Sequence, residues 1–332
     1  MRRSILHRVA DPVPPVLRPV RWSGRTPHPD DLAAVHRLYA AHEQSLIGTV
    51  DTTAADNAYY FGLAVVDRAG TCVVEVDGEP VGSVYVKTEA APRDVYADVV
   101  ALPGPQRDAV LAVAVDHAVA AARRIVAAAE EPGWTLRITC WSTDDVLARL
   151  LEERGFAFVR RFLRMRIDSD SPAIPAAAPD LPPGVEIVVR DDEETRRAIW
   201  AVDNEAFLDH WNFVPASWEE WWDEFGSGES RDPDGWWLLT VDGEPAAICM
   251  LDERRAEFGE GYVNILGVRR QFRRRGFAAL LLQRAFVRYR DLGRSATLLG
   301  VDATNLTGAV GVYERVGMHA ELVQHGWALE LS

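Results

Sequence analysis

Two segments of the chain show the same alternation of apolar and polar residues around the same turn. Thr71–Val86 has the sequence TCVVEVDGEPVGSVYV, and Trp237–Leu251 has the sequence WLLTVDGEPAAICML. Each contains two β-rich runs around an Asp-Gly pair, which predicts a β-hairpin. Leu150–Ile167 (LLEERGFAFVRRFLRMRI) and Val312–Leu329 (VYERVGMHAELVQHGWAL) also correspond, because each predicts a short helix, a glycine stop and then strands. Two matched landmarks in the same order indicate a duplicated domain.

The spacing of apolar residues predicts alternating strands and helices in both halves. For the second half it predicts a strand over Val185–Arg190, helices over Glu193–Leu208 and Pro215–Phe225, the hairpin, strands over Gly261–Val268 and Ala296–Asp302, helices over Phe277–Leu292 and Thr307–Val316, and two closing strands. For the first half it predicts helices near Pro29–Leu46 and Gln106–Ala129 and a strand at Thr135–Cys140. This order favours the α/β (α+β) class, with a mixed, partly parallel and partly splayed sheet flanked by helices in each half.

A proline- and alanine-rich segment separates the two halves. Ser169–Gly184, SDSPAIPAAAPDLPPG, has no periodic apolar face and is typical of a semi-extended spacer. We therefore predict a first domain over 1–168, a linker over 169–184 and a second domain over 185–332. The length of 332 residues suits two domains.

Charge and cysteine content exclude several classes of protein. The net charge is −14, which disfavours binding to nucleic acid or to an anionic membrane. Cys72, Cys140 and Cys249 are far apart, so neither a disulfide framework nor a zinc site is expected. The start, MRRSILHRVADPVPP, lacks the apolar run of a signal peptide, and no run of about 18 apolar residues could span a membrane. We expect a cytoplasmic protein; its oligomeric state stays open.

The segment Tyr262–Ala278, YVNILGVRRQFRRRGFA, has the composition of a phosphate-binding loop. An apolar strand ends at Val268, and Gly276 opens a helix. The first turn of a helix has unpaired N–H groups at its positive dipole end, and a glycine there lets an anion approach the backbone. Five arginines follow the strand within seven residues, which suits a pyrophosphate. A solvated basic turn is the alternative that the arginines alone would favour.

These residues resemble the acyl-CoA loop of the GNAT superfamily of N-acyltransferases. Arg273-x-x-Gly276-x-Ala278 is similar to the pyrophosphate motif, and Val301–Met318, VDATNLTGAVGVYERVGM, is similar to the rest of that signature. Two such halves in one chain resemble the mycothiol synthase branch, in which the C-terminal domain is the active one. The resemblance implies acetyl-CoA as cosubstrate, no metal, and a slot for pantetheine between the strands at Tyr262–Val268 and Ala296–Asp302.

The resemblance also implies roles for individual residues. The backbone of Val268 would bind pantetheine, and the N–H of Leu266 would polarise the thioester carbonyl. The implied cofactor-binding set is Leu266, Gly267, Val268, Arg273, Arg274, Arg275, Gly276, Phe277, Ala278 and Asn305. Tyr313 would protonate the departing thiolate as general acid, although an ordinary packed aromatic is the alternative.

The general base is less well defined by the sequence. Many relatives carry a glutamate at the position of Tyr262, and here Glu260 lies two residues earlier, on the same face of the strand. Either Glu260 is the base, directly or through water, or it is a solvated strand-end carboxylate and the chain lacks a side-chain base.

The acceptor side and the first half depart from the common pattern. Seven of the 11 tryptophans lie between Trp200 and Trp237. We interpret this segment as an aromatic acceptor pocket, with core packing as the alternative. Its predicted substrate-binding residues are Asp209, His210, Trp211 and Trp218. In the first half, Leu151 occupies the position of Tyr313, and LPGPQRDAV lacks the R-x-x-G-x-A motif, so this half is predicted to be degenerate.

The sequence thus predicts an N-acetyltransferase that transfers an acetyl group from acetyl-CoA to a primary amine of a small molecule by direct attack. A non-catalytic acyl-CoA-binding or regulatory protein is the main alternative: Tyr313 argues against it, whereas the absence of glutamate at position 262 argues for it. Acetylation of protein N-termini is disfavoured by the aromatic segment.

Overall fold

The computed structural model describes residues 18–21, 29–89, 93–129, 131–210, 213–226, 230–304 and 308–331. The N-terminal segment for which no signal peptide is expected, and the site candidates Trp211 and Asn305, lie outside the described residues. The chain divides into two compact units: 1–158 together with 327–332, and 159–326.

The first unit is a mixed sheet with helices on both faces. Its elements are β1 (Arg18–Arg21), α1 (Pro29–Ile47), α2 (Ala54–Gly62), β2 (Cys72–Val76), β3 (Glu79–Glu89), β4 (Asp94–Ala101), α3 (Arg107–Ala129), β5 (Trp134–Trp141) and α4 (Asp145–Glu153). The five strands neighbour one another in chain order, and only the β4–β5 pair is parallel. Helices α3 and α4 pack their apolar residues against one face of the sheet, and helices α1 and α2 pack against the other face.

The second unit repeats this plan. Its elements are β6 (Ala157–Asp168), β7 (Val185–Val188), α5 (Glu193–Ala206), α6 (Trp218–Trp221), β8 (Arg231–Val241), β9 (Glu244–Asp252), β10 (Glu260–Val268), α7 (Phe277–Asp291), β11 (Ala296–Asp302), α8 (Ala309–Arg315) and β12 (His319–Leu331). The strand order is β12–β6–β11–β10–β9–β8–β7, with β10 and β11 parallel. Helices α7 and α8 pack on one face, and α5 and α6 on the other.

The predicted fold class is confirmed, and the two hairpins turn as their sequences predict. Asp77 and Gly78 have φ of 53° and 83°, and Asp242 and Gly243 have φ of 49° and 83°. Two successive positive φ values are the geometry of a type I′ turn, which fits the right-handed twist of the flanking strands. The repeated DGEP letters therefore mark equivalent positions in the two units.

The prediction of two closing strands for the second half is wrong. One continuous strand, β12, follows α8. A second closing strand would lie next to β11 in the sheet, and β6 takes that position. It pairs antiparallel with β11 from Phe162 to Asp168. Met165 and Ile167 of β6 are about 1% exposed in the core of the second unit. Burial of these two side chains explains why β6 lies in this sheet.

The division between the units falls elsewhere than the predicted domain boundaries. It lies after Phe158, and the predicted linker 169–184 falls inside the second unit, where Ile174 is buried. The last residues of β12 belong to the first unit, because Trp327 and Leu331 pack in its core.

The helix predicted over Pro215–Phe225 starts later and is shorter. It begins at Trp218, because Ser217 accepts a hydrogen bond from the N–H of Glu220 while the Glu220 carboxylate accepts from the N–H of Ser217. This reciprocal capping box fixes the start of the helix. The chain continues as a five-residue π turn over Trp222–Gly226.

The described residues contain no helix long and apolar enough to cross a bilayer. Across the same ranges, no group of three or more His, Cys, Asp or Glu side chains could hold a metal ion. The three cysteines are free thiols and are buried.

Candidate active site

The two parallel strands of the second unit part and leave a cleft between them. Strands β10 and β11 pair only from Glu260 to Tyr262 and from Ala296 to Leu298, although they run on to Val268 and Asp302. The cavity in this fork has a volume of about 770 Å³. Its lining, called the cleft below, consists of residues 206, 207, 210, 263–268, 272–274, 276–279, 299–302, 308, 309, 312, 313 and 315.

The backbone of β10 presents polar groups to the cleft. The N–H of Arg269, just after β10, donates to Ala246 O of the neighbouring strand β9 at 3.0 Å. Successive residues of a strand direct their N–H and C=O groups to opposite edges, so those of Val268 and Leu266 face the cleft. The β9–β10 register shifts between Val263 and Ile265, where Asn264 forms a bulge. A bulge redirects the following residues, which include Leu266.

The loop before α7 leaves the first turn of that helix without a side-chain cap. Gly276 is the N-cap residue, with φ of 85°, and Arg274 also has a positive φ, 62°. A side chain at Gly276 would project into open space, since nothing lies within 4 Å of its ideal Cβ position. The N–H groups that follow Gly276 are therefore open to an anion in the cleft.

Arg273 connects the loop to the strand and to the acceptor-side helix. Its Nε donates to Val268 O at 3.1 Å, and its Nη2 donates to Ala206 O at 2.9 Å. Its Nη1 donates to Asp209 Oδ2 at 2.7 Å, and this hydrogen bond holds the pKa of Asp209 below its usual value. Arg273 and the predicted acceptor residue Asp209 thus bind each other.

Tyr313 lies on α8 and lines the cleft from the side of β11. The side chain is 8% exposed and packs in the core of the second unit. Burial, with a smaller electrostatic effect of Cys249, raises the pKa of Tyr313 to about 12. The hydroxyl is therefore protonated at neutral pH and able to donate a proton.

Glu260 and Tyr262 lie at the closed end of the fork. One carboxylate oxygen of Glu260 accepts from Arg166 Nη1 at 2.6 Å, and the other accepts from Arg255 Nη2 at 2.8 Å. Glu260 is not among the described residues that line the cleft. The Tyr262 hydroxyl lies 3.2 Å from the ideal Cβ position of Gly300, which does line the cleft. Of the two, Tyr262 is thus closer to the cleft.

His210 lines the cleft at the end of the segment that follows α5. Its ring packs against the ring of Phe207, with centroids 4.4 Å apart. Burial, followed by the positive charge of Arg273, lowers the pKa of His210 below its usual value. The imidazole is therefore neutral at pH 7 and able to accept a proton.

The tryptophans of the acceptor-side segment form a packed cluster. Trp218 stacks on Trp221 and Trp222, and Arg197 lies 4.5 Å above the Trp218 ring. Trp221 is 1% exposed and donates its Nε1–H to Asp203 Oδ2 at 2.8 Å. None of these rings is among the described residues that line the cleft. Packing against β8 and β9 accounts for their burial.

We expect the substitution Asp203→Asn to stabilise the protein at alkaline pH. Burial raises the pKa of Asp203 to about 6, from about 3.9 in an unfolded chain. The charged form therefore opposes folding, and this cost grows as pH rises from about 4 to above 6. A shift of about two units corresponds to about 3 kcal/mol, and asparagine still accepts the Trp221 N–H. Urea unfolding should show a gain of about 1–3 kcal/mol at pH 8 that disappears near pH 4.

Asp234→Asn is the matched control, because Asp234 is exposed on β8. Its free energy of unfolding should follow that of the wild type at both pH values. An equal gain for Asp203→Asn at pH 4 and pH 8 would contradict the assigned cause, since a burial cost of charge cannot act on a neutral carboxyl.

Two charged residues that line the cleft were not predicted from the sequence. Asp302 at the end of β11 and Arg315 on α8 both line it. Asp302 is the last residue of a strand that the sequence predicts, but the spacing of polar residues around it gives no signal for a binding site. A basic residue two positions after Tyr313 was the available signal for Arg315.

Comparisons with known proteins agree with this geometry. Residues 193–318 match the model of the acetyltransferase (GNAT) family. A GCN5-related N-acetyltransferase from Sphaerobacter thermophilus has a similar structure, with a TM-score of 0.76 and 26% identity over 92% of this chain and 94% of that chain. A search of curated protein sequences found no match.

Two further solved structures share the fold. A tandem GNAT protein from the clavulanic acid biosynthesis pathway has a TM-score of 0.70 at 15% identity, covering 95% of this chain and 98% of that chain. A glucosamine N-acetyltransferase region of a fungal multi-domain β-N-acetylglucosaminidase has a TM-score of 0.66 at 13% identity, covering 96% of this chain and 38% of that chain. The cleft-bearing segment 193–318 therefore matches the GNAT acetyltransferase family model, and the chain is similar in fold to a tandem GNAT protein.

Proposed function

We propose that the chain is an acetyl-CoA-dependent N-acetyltransferase that acetylates a primary amine of a small molecule. The observation that carries the proposal is the fork between β10 and β11, which holds a cavity of about 770 Å³ between an uncapped helix start and a buried tyrosine. A phosphate-bearing arm with a thioester at its end fits such a cleft, because the anion and the reacting carbonyl need donors at opposite ends.

The cleft provides donors for both ends of acetyl-CoA. Backbone N–H groups from Arg273 to Ala278 would hold the pyrophosphate at the start of α7. The backbone groups of Val268 and Leu266 that face the cleft would bind the pantetheine arm and the thioester carbonyl. Arg274 and Arg315 also line the cleft and would add positive charge for the phosphates.

The reaction we propose is direct attack in a ternary complex. The amine nitrogen forms a bond to the acyl carbon, and the Leu266 N–H stabilises the negative charge that develops on the carbonyl oxygen. The C–S bond then breaks, and Tyr313 donates its proton to the departing thiolate. Direct attack is supported by the absence of Cys and Ser among the described residues that line the cleft.

Two groups could take the proton that the amine loses. Glu260 is the candidate from the sequence, but two arginines donate to its carboxylate oxygens. The neutral imidazole of His210 lines the cleft itself and has its pKa lowered from its usual value. A base must be deprotonated to act, so the rate should rise with pH as the base loses its proton.

We expect substitution of the base, and of that residue only, to remove the rising limb of the pH–rate profile. Glu260→Gln and His210→Gln keep the size of each side chain and remove the titration. If His210 is the base, the limb lies below about pH 6.5 and disappears in His210→Gln. A limb that persists in both variants would contradict both assignments and leave water or the amine itself as the source.

The residues that the sequence predicts to bind the acceptor amine lie in and directly after the segment between α5 and α6. A binding role for Asp209 and His210 remains part of the proposal, because Asp209 binds Arg273 and His210 lines the cleft. A binding role for Trp218 stays a prediction from the sequence, since its ring packs on Trp221 and Trp222 outside the described lining. The mycothiol synthase resemblance suggests an amino-sugar or cysteinyl-sugar amine as one class to test, and this stays an analogy of fold.

The first unit is proposed not to bind acetyl-CoA. Its strands β4 and β5 also pair only over Asp94–Ala97 and Thr135–Ile138, but β4 has no register shift against β3. The ring nitrogen Nδ1 of His42 lies 3.2 Å from Ala101 O, at the strand position that corresponds to Val268.

Side chains also occupy the position that corresponds to the phosphate loop of the second unit. Arg107 at the start of α3 donates to Asp144 at 2.5 Å, so it is already paired. Leu151 replaces the tyrosine and is fully buried. These contacts support the proposal that the first unit lacks a site for the cosubstrate.

The test combines binding and turnover. Calorimetry should give one acetyl-CoA per chain, and a thiol-release assay with acetyl-CoA against a panel of amines, including aminoglycoside-like and cysteinyl-sugar amines, should identify the acceptor. Binding without thiol release for any amine would favour the non-catalytic alternative. No binding would refute the proposal, and two molecules per chain would refute the assignment of the first unit.

A further inference from the structure

Tyr289 places a buried hydroxyl at the point where the fork opens. It lies on α7 and is 0% exposed. Its hydroxyl lies 2.8 Å from Tyr262 O on β10 and 3.0 Å from Asp252 O on β9, and it accepts from the Asp252 N–H at 3.2 Å. One phenol group thus links the backbones of two strands from the helix behind them.

These two backbone positions lie where the pairing of β10 with β11 ends. Tyr262 pairs with Asp252 one pair before the bulge at Asn264, since Val263 with Leu251 lies between them, and Tyr262 with Leu298 is the last β10–β11 pair. Beyond them β10 no longer pairs with β11. The hydroxyl therefore provides hydrogen bonds to the backbone at the residue where the β10–β11 pairing ends.

Gly261 fits the ring into this position. An ideal Cβ on Gly261 would lie 2.2 Å from Cγ of the Tyr289 ring, so any larger residue would displace the ring or the strand. The strand thus passes directly over the aromatic face, and the hydroxyl reaches the carbonyl of the next residue, Tyr262. The Tyr289 ring and the Gly261 backbone are therefore closely packed, and each restricts the position of the other.

We propose that Tyr289 is a positioning residue for the acyl-transfer site: its hydroxyl fixes the bulge and the divergence of β10, and thereby the direction of the Leu266 N–H. This rests on the proposed function, in which that N–H binds the thioester carbonyl. Leu266 is four residues beyond the anchored carbonyl of Tyr262, on the far side of the bulge. Because strand direction after a bulge depends on the hydrogen bonds that hold the bulge, loss of the hydroxyl turns the N–H away from the carbonyl.

The consequence is specific to carbonyl polarisation. Tyr289 is outside the described lining of the cleft, so its substitution removes no contact with the cosubstrate. The pyrophosphate loop and Arg273 are untouched. Binding affinity should therefore change little, whereas the stabilisation of the developing oxyanion should fall.

The test is infrared spectroscopy of bound acetyl-CoA labelled with ¹³C at the thioester carbonyl. In the wild type the carbonyl band should shift to lower frequency than in solution, because an N–H donor polarises the bond. In Tyr289→Phe the band should return towards the solution value, while Kd changes by less than about tenfold, since one neutral hydrogen bond contributes only a small part of the binding energy of the cosubstrate. Gly261→Ala, which pushes on the ring, should shift the band in the same direction.

Tyr85→Phe is the matched control. Tyr85 is also buried and donates its hydroxyl to a backbone carbonyl, Tyr60 O at 3.2 Å, but it lies in the first unit. Its substitution should leave the band of the bound thioester unchanged. A purely structural hydroxyl at Tyr289 would lower the stability of the protein, as Tyr85→Phe does, without moving the band.

The outcomes separate this inference from the proposed function. A wild type that binds no acetyl-CoA refutes the proposed function and the inference with it. A shifted band that persists in a folded Tyr289→Phe, or in Gly261→Ala if Tyr289→Phe does not fold, overturns the inference alone. Binding without any shift in the wild type also overturns it, because no N–H then polarises the carbonyl.

Discussion

Gly276→Glu should reduce acetyl-CoA binding below the detection limit of calorimetry while circular dichroism stays native. Gly276 has a φ of 85°, and its Cβ position faces open space at the uncapped start of α7. A glutamate there places a carboxylate against the N–H groups that we assign to the pyrophosphate. Two like charges would then compete for the same donors, so steric and electrostatic effects act in the same direction.

Gly293→Glu is the matched control for this substitution. Gly293 follows the other end of α7, has a φ of 76°, and likewise has nothing within 4 Å of its ideal Cβ position. Both variants therefore carry the same left-handed strain, of about 1–2 kcal/mol, and the same added charge. Gly293→Glu should bind acetyl-CoA normally. Equal affinity of Gly276→Glu and the wild type would refute the placement of the cosubstrate.

Tyr313→Phe should lower kcat by about 10²–10⁴, the usual contribution of a positioned general acid, with near-native affinity for acetyl-CoA. Phenylalanine keeps the ring that packs in the core and deletes only the hydroxyl. Burial raises the pKa of Tyr313 to about 12, so the wild-type residue stays protonated through the neutral range and the loss should be the same from pH 6 to 9. The measurement is steady-state thiol release with the acceptor identified by the amine panel.

Tyr85→Phe again serves as control, since it removes a buried hydroxyl of the first unit that is outside the described lining of the cleft, and it should keep the wild-type kcat. If Tyr313→Phe also keeps it, a pre-steady-state burst separates two explanations. A burst in both proteins would mean that product release limits turnover and hides the chemical step. Equal rates of the chemical step itself would make Tyr313 a packing residue.

Local sequence signals predicted most of the second unit because they act over a few residues. The Asp-Gly pairs demanded positive φ and gave both hairpins. Gly276 marked the start of α7, and the predicted strand Ala296–Asp302 has the same bounds in the structure. The capping box at Thr53 and Asp56 was an available signal for α2, which the apolar pattern alone did not predict.

Long-range pairing was beyond the sequence pattern. Nothing in the alternation of β6 indicated that it would pair with β11, because the same apolar face can pack in either core. The roles of charged residues were equally undetermined. Arg273 has the spacing of a phosphate-binding arginine, yet its side chain binds Val268 O, Ala206 O and Asp209.

The sequence by itself determined the duplication, the fold class and the loop with its glycine, since each depends on local backbone geometry and on a repeated order of landmarks. Only the tertiary structure decided which side chains meet. It paired Glu260 with two arginines, packed the tryptophans into a core, brought His210 to the cleft and set Tyr289 behind the bulge. The physical reason is that hydrogen bonds, ion pairs and burial act between residues far apart in the chain, and one-dimensional spacing does not encode that distance.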